Sequence, residues 1–497
     1  MSSLPLPPSD FPPSTAPRIA IIGGGISGLA ATHRLAVLLP QAELTLFESS
    51  DRLGGVLHTV ERDGYLIEQS ADNFLVKPPA GIELFRQLGL GNELLTTDET
   101  RRRAFVVRAG KLIPIPAGFY LMSPRKLWPL LTSPALSIAG KLRLLAELFV
   151  PRRKCSADAT RPQEDDDESI ASFVQRRLGR EVFERLVQPL VAGIYTADPE
   201  RLSMAATMPQ FLNFERDSGS LLRATLFKRA DGAPNSTDAA SGARYGLFVA
   251  PRNGMTSLVS SIAAQLPRAK ILLNTRINSI VPASAQWHVE VESEQHENPL
   301  ESLVDAVICA TPAHAAAPMI SHFDNNLSAE LDAIDYAGCA VVSLGFARRQ
   351  IGHALDGFGF VVPASEHRRI IAGSFASLKF PNRAPQDDVL IRVFIGGALQ
   401  PQLLDLTDEE LASIAREELA DLLSARGAPV ITDIARWPRS MPQYYVGHLA
   451  RVNRIEQLAA EHPNFALAGN AYRGVGIPQC IASGQAAAER IAARWTA

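Results

Sequence analysis

No run of about 20 consecutive apolar residues occurs in this chain, so no segment reads as a membrane-spanning helix. Cysteine is scarce. Cys155, Cys309, Cys339 and Cys480 are scattered without a C-x-x-C pair, which excludes a disulfide framework and a zinc site and suits a reducing cytoplasm. No metal is indicated. A dominant charge sign is missing too. With 49 basic and 52 acidic residues the formal net charge is −3, which gives no electrostatic case for nucleic acid as a partner. Residues 1–17 lack the basic and apolar regions of a signal peptide; rich in Pro and Ser, they read as a disordered leader. No Ser-His-Asp set is evident. What the chain does have is length, since 497 residues can bury a large core and divide into domains.

The head of the chain organises the rest. Arg18-Ile-Ala-Ile-Ile22 is a short apolar run with β-branched weight. Gly23, Gly25 and Gly28 follow at the spacing G-x-G-x-x-G, with Gly24, Ile26 and Ser27 between them. Residues 29–39 continue with helical periodicity, and Glu43-Leu-Thr-Leu-Phe47 forms a second strand that ends at Glu48. The glycines supply a tight turn, close backbone approach to a pyrophosphate and close helix-on-strand packing. The helix N-terminus offers free N–H groups to phosphates. Glu48 lies where a carboxylate reaches a ribose hydroxyl pair. Alone, the glycine spacing is a weak signal, and a Gly-rich loop without function is the bland alternative. Strand, helix, second strand and acid in register favour a dinucleotide. Ser49-Ser-Asp51 leads into Arg52-Leu-Gly-Gly55, which resembles the R-x-G-G continuation of FAD enzymes of the amine-oxidase type. There the arginine supports the phosphates, and Gly54 and Gly55 let backbone pass close to the flavin end. The cofactor indicated is FAD.

Further on, residues 59–68 read as a hairpin turning at Asp63-Gly64, residues 82–90 as a helix and residues 105–113 as another hairpin. Arg101-Arg-Arg103 is either a solvated face or a holder of substrate carboxylates. From 114 to 204 the pattern is helical and mostly apolar. Within it, residues 133–150 either lie on a membrane surface or pack inside a helical subdomain. Residues 151–169 and 228–243 read as surface loops. Residues 245–265 run from strand to turn to helix, and 304–312 return into a nucleotide-binding sheet. Residues 340–347, 357–363, 370–376 and 389–396 are strands of a second sheet, and 407–425 form an amphipathic helix. The tail mirrors the head. A strand feeds Gly469-Asn470, and Gly474-Val-Gly-Ile477 opens the last helix, with a second set of free amides. Two glycine turns at opposite ends fit one cofactor gripped by its pyrophosphate from both.

Other motifs extend the pattern over nearly the whole chain. They are Pro189-Leu-Val-Ala-Gly193 with Asp198-Pro-Glu-Arg-Leu-Ser-Met204, Gly357-Phe-Gly-Phe-Val-Val-Pro363 and Phe380-Pro-Asn-Arg-Ala-Pro385. Phe394-Ile-Gly-Gly397, Met441-Pro-Gln-Tyr-Tyr-Val-Gly-His448 and Leu467-Ala-Gly-Asn470 complete the set. With these the chain resembles the oxygen-dependent protoporphyrinogen oxidase family, which includes the bacterial coproporphyrinogen III oxidases, within the FAD-dependent amine-oxidase superfamily. The resemblance implies an α/β fold in three parts. These are a discontinuous Rossmann-like FAD-binding domain (residues 18–76, 244–318 and 430–497), a mixed-sheet substrate domain (77–113, 205–243 and 319–429) and an inserted, membrane-associated helical domain (114–204).

It implies FAD held noncovalently, since Cys480 does not match the flavin-linking cysteine of monoamine oxidases. The expected cofactor set is Gly23, Gly24, Gly25, Ile26, Ser27, Gly28, Glu48, Ser49, Arg52, Gly54 and Gly55 at the head. Ser70, Ala71, Asp72, Asn73 and Ile277 follow, then Gly469, Asn470, Val475, Gly476 and Ile477 at the tail. Ser70-Ala71 replace the family's usual glycine-proline. The implied reaction is oxidation of a porphyrinogen, coproporphyrinogen III or protoporphyrinogen IX, with O2 as acceptor and H2O2 as product, in haem biosynthesis. Val361, Ser374 and Phe394 are expected to face the macrocycle, Gly193 to touch it through its backbone, and Arg103 to take a propionate. A core position is the alternative for Phe394. His448 is either a proton shuttle or a packed side chain. No other catalytic residue is singled out, because flavin N5 carries the chemistry. The resemblance leaves room for a homodimer, for a cytoplasmic protein touching the inner face of the membrane, and for hand-over to the next haem-pathway enzyme. A flavin oxidase of amines, a carotenoid desaturase and an FAD-binding scaffold without turnover are the competing readings.

Overall fold

The computed structural model describes residues 16–124, 127–153, 167–227, 248–293 and 300–496. Most of the leader expected over 1–17, the middle of the loop at 151–169 and all of the loop at 228–243 lie outside the described residues.

The strand Arg18–Ile22 turns Ile19 and Ile21 into one core and Ala20 and Ile22 into another, because successive strand side chains face opposite sides. A strand buried on both faces belongs in a covered parallel sheet. It pairs in parallel with Glu43–Phe47 on one side and with Ala306–Cys309 on the other. Lys270–Leu272 and Phe465–Leu467 extend this into a five-stranded parallel sheet. One face is covered by the helices Ile26–Leu38, Ala80–Gln87, Met255–Ala264 and Ile477–Ala492. The other face packs the antiparallel strands Thr275–Ala283, Gln286–Ser293 and Leu300–Val304. The helices Ala313–Ile320, Asn325–Asp332 and His448–Ala460 complete that layer.

A second, mixed sheet has seven strands in the order Ile431–Pro442, Tyr336–Ala347, Asp388–Gly396, Ala372–Phe375, Gly359–Val361, Phe105–Arg108 and Lys111–Pro114. Only the pairing of Gly359–Val361 with Phe105–Arg108 is parallel. The helix Asp408–Leu423 covers one face through Leu411, Ile414, Leu419 and Leu423, and it starts at a capping box formed by Thr407 and Glu410. A small antiparallel sheet of Phe74–Leu75, Phe248–Pro251 and Leu94–Thr96 stands where the two large sheets meet.

These pairings shift several expected boundaries. Ile431–Pro442, expected with the nucleotide-binding part, pairs with Tyr336–Ala347 and belongs to the seven-stranded sheet. Ala80–Gln87 and Asn325–Asp332, expected with the substrate part, bury their apolar faces against the five-stranded sheet. The helical cluster extends beyond residue 204, since Phe211 and Leu221 join its core. At its start, Phe119–Tyr120 and Ser123–Pro124 pair as a two-stranded ribbon.

The continuous helix expected over 133–150 is shorter. Ser137 caps Ile138–Leu145 by accepting from Gly140 N at 3.1 Å, and a 3-10 turn, Ala146–Phe149, follows. Leu130, Leu136 and Leu144 are buried, whereas Trp128, Ile138, Leu142 and Phe149 are exposed. Among the described residues no helix is long and apolar enough to cross a membrane. The cluster is pinned by a wholly buried ion pair between Arg177 and Glu147. Glu147 also accepts from Ser220 Oγ and from the N–H groups of Leu221 and Leu222, at 2.9 and 3.2 Å, at the start of the helix Leu221–Phe227.

Candidate functional site

Gly25 and Gly476 occupy the N-cap positions of Ile26–Leu38 and Ile477–Ala492. Neither helix has a side-chain cap or an acid in its first turn. Both therefore present free N–H groups and a positive dipole end. The two helices touch, because a Cβ on Gly484 would stand 2.1 Å from Ser27 O. A Cβ on Gly28 would stand 1.9 Å from Gly23 O, so only glycine lets helix and strand approach there. At Gly25 the same test meets nothing within 4 Å. The turn thus faces an open cradle walled by two uncapped helix ends, the donor set a pyrophosphate requires.

The loop Arg52-Leu-Gly-Gly55 closes on this turn, with Gly54 N donating to Gly24 O at 2.9 Å. Arg52 braces its own loop, donating to Gly55 O at 2.7 Å and to Leu53 O and Leu57 O at 3.3 Å. Glu48 is buried at the end of its strand. It accepts from Gly24 N at 2.7 Å, from Ser50 N and Oγ at 2.8 Å, and from Ser49 Oγ at 3.4 Å. Glu48 O in turn accepts from Thr275 N at 2.9 Å, which brings the strand carrying Ile277 alongside. These contacts place the carboxylate beside the glycine turn, where a ribose would lie next to the cradle.

The tail turn is held from below. Tyr444 OH donates to Asn470 O and accepts from Gly474 N at 2.8 Å, and Ser483 Oγ accepts from Gly469 N at 3.0 Å. His448 stacks on Tyr444 with ring centroids 3.9 Å apart. Its Nε2 faces Tyr472 O at 2.9 Å, which assigns the N–H to that nitrogen. Burial pushes the His448 imidazole down to about 4. His448 is buried away from the cavity described next and braces the tail turn. Cys480 is also buried; burial pushes its thiol up to about 12, and its Sγ lies 3.9 Å from Val475 O.

Between the seven-stranded sheet, the helical cluster and the small sheet that carries Phe248 lies a cavity of about 340 Å³. Phe358, Gly359, Phe360, Val361, Ser374 and Phe394 line it from the seven-stranded sheet. Ile115, Phe119, Leu121, Leu190, Gly193 and Ile194 line it from the helical side. Arg103, Asp72, Asn73, Thr97 and Lys379 supply its polar groups. The structure thus brings Arg103, Gly193, Val361, Ser374 and Phe394, chosen from sequence, into one lining, and joins Asp72 and Asn73 to them. A Cβ on Gly193 would stand 3.4 Å from Val361 Cγ1, so helix and sheet nearly touch across it. Ser70 and Ala71 lie just behind, with Ser70 O accepting from Arg392 Nη2. The hydroxyls of Ser70 and Ser374 are buried without a hydrogen-bond partner.

Sequence reasoning missed Lys379, Arg392 and Tyr444. Asp72 Oδ2 accepts from Lys379 Nζ at 2.8 Å and lies 3.3 Å from Arg392 Nη1. Burial opposes ionisation of Asp72, but these two cations outweigh it and hold the carboxyl at about 2. Glu68, four residues earlier, has no cation within ion-pair distance among the described residues, and Arg383 and Arg392 act on it only from further off. Burial pushes it up to about 7 against its hydrogen bonds from Thr59 Oγ1 and Met255 N. Arg103 differs from Lys379: it pairs with Asp356 at 2.8 Å and its side chain is 46% exposed.

Residues 26–492 match the model of the family described as Flavin containing amine oxidoreductase. Coproporphyrinogen III oxidase of Bacillus subtilis (strain 168) is 33% identical over 480 residues, covering 94% of this chain and 96% of that protein. Protoporphyrinogen oxidase 2, chloroplastic/mitochondrial, of Arabidopsis thaliana is 28% identical over 493 residues, covering 95% and 93%. A crystal structure from Exiguobacterium sp. 255-15, assigned provisionally as a protoporphyrinogen oxidase, superposes with a TM-score of 0.82. It is 28% identical and covers 96% of this chain and 99% of that one. The chain belongs to the flavin-containing amine oxidoreductases, in the branch of the protoporphyrinogen and coproporphyrinogen III oxidases.

Proposed function

We propose that this protein oxidises coproporphyrinogen III to coproporphyrin III in haem biosynthesis, with noncovalent FAD, O2 as acceptor and H2O2 as product. The observation that carries this reading is the cavity, which is apolar on two sides, charged at a third and adjacent to the dinucleotide-binding part of the fold. The names borne by the relatives point to the same substrate class. FAD held between the Gly25 and Gly476 turns would supply a hydride acceptor for a bridging methylene and a route for the electrons to O2. The chain's own residues bind and orient. Phe360, Val361 and Phe394 on one side and Leu190 and Ile194 on the other offer flat apolar walls that exclude water from a macrocycle. Gly193, without a side chain, lets a ring approach the helix backbone. The Ser374 hydroxyl, which has no protein partner, is free to accept from a pyrrole N–H. The planar fork of Arg103 suits a propionate at the rim.

The test is aerobic incubation of purified protein with coproporphyrinogen III and, separately, protoporphyrinogen IX, following porphyrin fluorescence and peroxide together. Faster porphyrin formation from the tetracarboxylate supports the reading; no porphyrin from either substrate sinks it. Heat precipitation should release the flavin as intact FAD into the supernatant. The deep burial of Cys480 favours this, since a thiol pushed up to about 12 is a poor linking nucleophile.

A peripheral contact with the inner face of the membrane belongs to the same proposal. Trp128, Ile138, Leu142 and Phe149 are 76, 78, 63 and 84% exposed on successive elements of the helical part. Large apolar side chains this exposed suit the acyl boundary of a bilayer. Wild-type protein should float with phospholipid vesicles, and a variant carrying I138E and F149E should not. Equal flotation would remove this part.

A further inference from the structure

The polar end of the cavity contains more positive charge than it needs for its own stability. Lys379 closes the short helix Ala376–Lys379, and its Nζ donates to Asp72 Oδ2 at 2.8 Å. The same carboxylate oxygen lies 3.3 Å from Nη1 of Arg392, which is 1% exposed. Two cations therefore share one anion. The buried charges behind them do not cancel the excess, since Arg383 stands with Glu68 and burial pushes that acid towards its neutral form. An uncompensated charge in an apolar cavity is unfavourable unless an anion joins it from outside. Among the described hydrogen bonds, Lys379 Nζ donates only to Asp72, so further N–H groups remain for such an anion. Asn73 and Thr97, neighbours in the lining, add polar atoms to this end.

Arg103 is a cation of another kind. Its partner, Asp356, matches it one for one, and its side chain is 46% exposed, against 13% for Lys379. The cavity thus has one wet cation, matched one for one, at its rim and one dry cation within that shares its carboxylate with Arg392. Protoporphyrinogen IX carries its carboxylates on one edge and vinyl groups on the other. Coproporphyrinogen III carries a propionate on every pyrrole, so whichever edge meets Arg103, the remaining edge also bears carboxylates.

We propose that Lys379 is a specificity-determining residue that receives a substrate propionate at the dry end of the cavity and so favours the tetracarboxylate over the dicarboxylate porphyrinogen. Asp72 and Arg392 are positioning residues in this account: they hold the ammonium against the wall and keep the local charge positive. The inference rests on the proposed porphyrinogen oxidation.

The test uses flavin-loaded wild-type, K379Q and K379R proteins with both porphyrinogens. K379Q should raise KM for coproporphyrinogen III by about tenfold or more, the usual size of a lost charge-assisted hydrogen bond. Its kcat, and its kcat/KM for protoporphyrinogen IX, should change by less than about threefold. K379R should recover most of the lost affinity. Independently of any variant, coproporphyrin III should inhibit the wild-type enzyme more strongly than a dicarboxylate porphyrin does, and K379Q should erase that difference. An unchanged KM for coproporphyrinogen III overturns the assignment. Equal losses on both substrates with a shifted flavin spectrum also overturn it, because the charge would then act on the cofactor. A wild-type enzyme that oxidises neither porphyrinogen instead refutes the proposed function itself.

Discussion

Gly484 sits directly on Ser27, so close that a Cβ on the glycine would stand 2.1 Å from the serine's backbone oxygen. This contact locks the last helix onto the first and fixes the spacing of their two uncapped N-termini. G484V must push them apart. Overpacking of this kind costs about 1–3 kcal/mol, read as a lower urea midpoint, and the flavin-to-protein absorbance ratio should fall with it. A variant as stable and as yellow as the wild type would contradict the two-ended cradle.

Gly25 and Gly28 lie in the same turn but should fail differently. Gly25 faces open space, whereas a Cβ on Gly28 meets Gly23 O at 1.9 Å. G25L should fold with an apoprotein melting temperature close to that of the wild type and yet purify colourless, because the leucine fills the open space in front of the helix N-terminus. G28A should lose stability as well as colour. Circular dichroism melts paired with flavin absorbance separate the two outcomes.

Glu68 should make the protein lose stability as pH rises. Its carboxyl goes from 4.5 in the unfolded chain to about 7 in the fold, because burial disfavours its charge. Between those values the folded chain holds a proton that the unfolded chain releases. The contribution is fully present below the lower value and lost as pH rises through the upper one, a change of about 3 kcal/mol. His448 works the other way, since burial lowers it from 6.5 to about 4 and stability falls as pH drops through that window. The two overlap, so the useful measurement is the stability difference between E68Q and wild type in urea, from about pH 5 to 8. That difference should move in favour of E68Q as pH rises; a flat difference would show that Glu68 is ionised throughout.

The Arg177–Glu147 pair, wholly buried, should tolerate replacement together but not apart. E147Q removes the nearer of Arg177's two counter-charges and leaves only Glu215, 3.5 Å from Nη1, at a cost of up to about 3–5 kcal/mol. A double variant, E147Q with R177M, should regain part of this, because the amide oxygen of Gln still accepts at the start of Leu221–Phe227 while no buried charge remains unpaired. Chemical denaturation checks it, and a single variant within experimental error of wild type would mean that water reaches the pair.

Much of the nucleotide-binding half was legible because its signals are local. The glycine spacing, the flanking apolar strands and Glu48 lie within one stretch of about thirty residues, the length of a single βαβ unit. The strand Ile431–Pro442 escaped notice because it holds Pro438 and polar residues, as the edge of a sheet permits and a central strand does not. The Asp72–Lys379–Arg392 cluster was harder still, for its members are joined only by the folded chain. One clue was readable: within the strand Asp388–Gly396, Arg392 interrupts the apolar run that follows Asp388, and a charge in such a place demands a partner. Phe394, next but one along that strand, was picked out for the macrocycle by resemblance, while the arginine that stands over its ring at 5.3 Å was passed over.

The strand Phe465–Leu467 completes the parallel sheet at the side of Ala306–Cys309, and the helix after it forms one wall of the cradle. On the ribosome, those pieces are made long after the opening glycines have emerged. The yellow cofactor therefore has nowhere to settle during translation, and a truncated chain, however well its other parts collapse, ought to leave the ribosome unable to hold it.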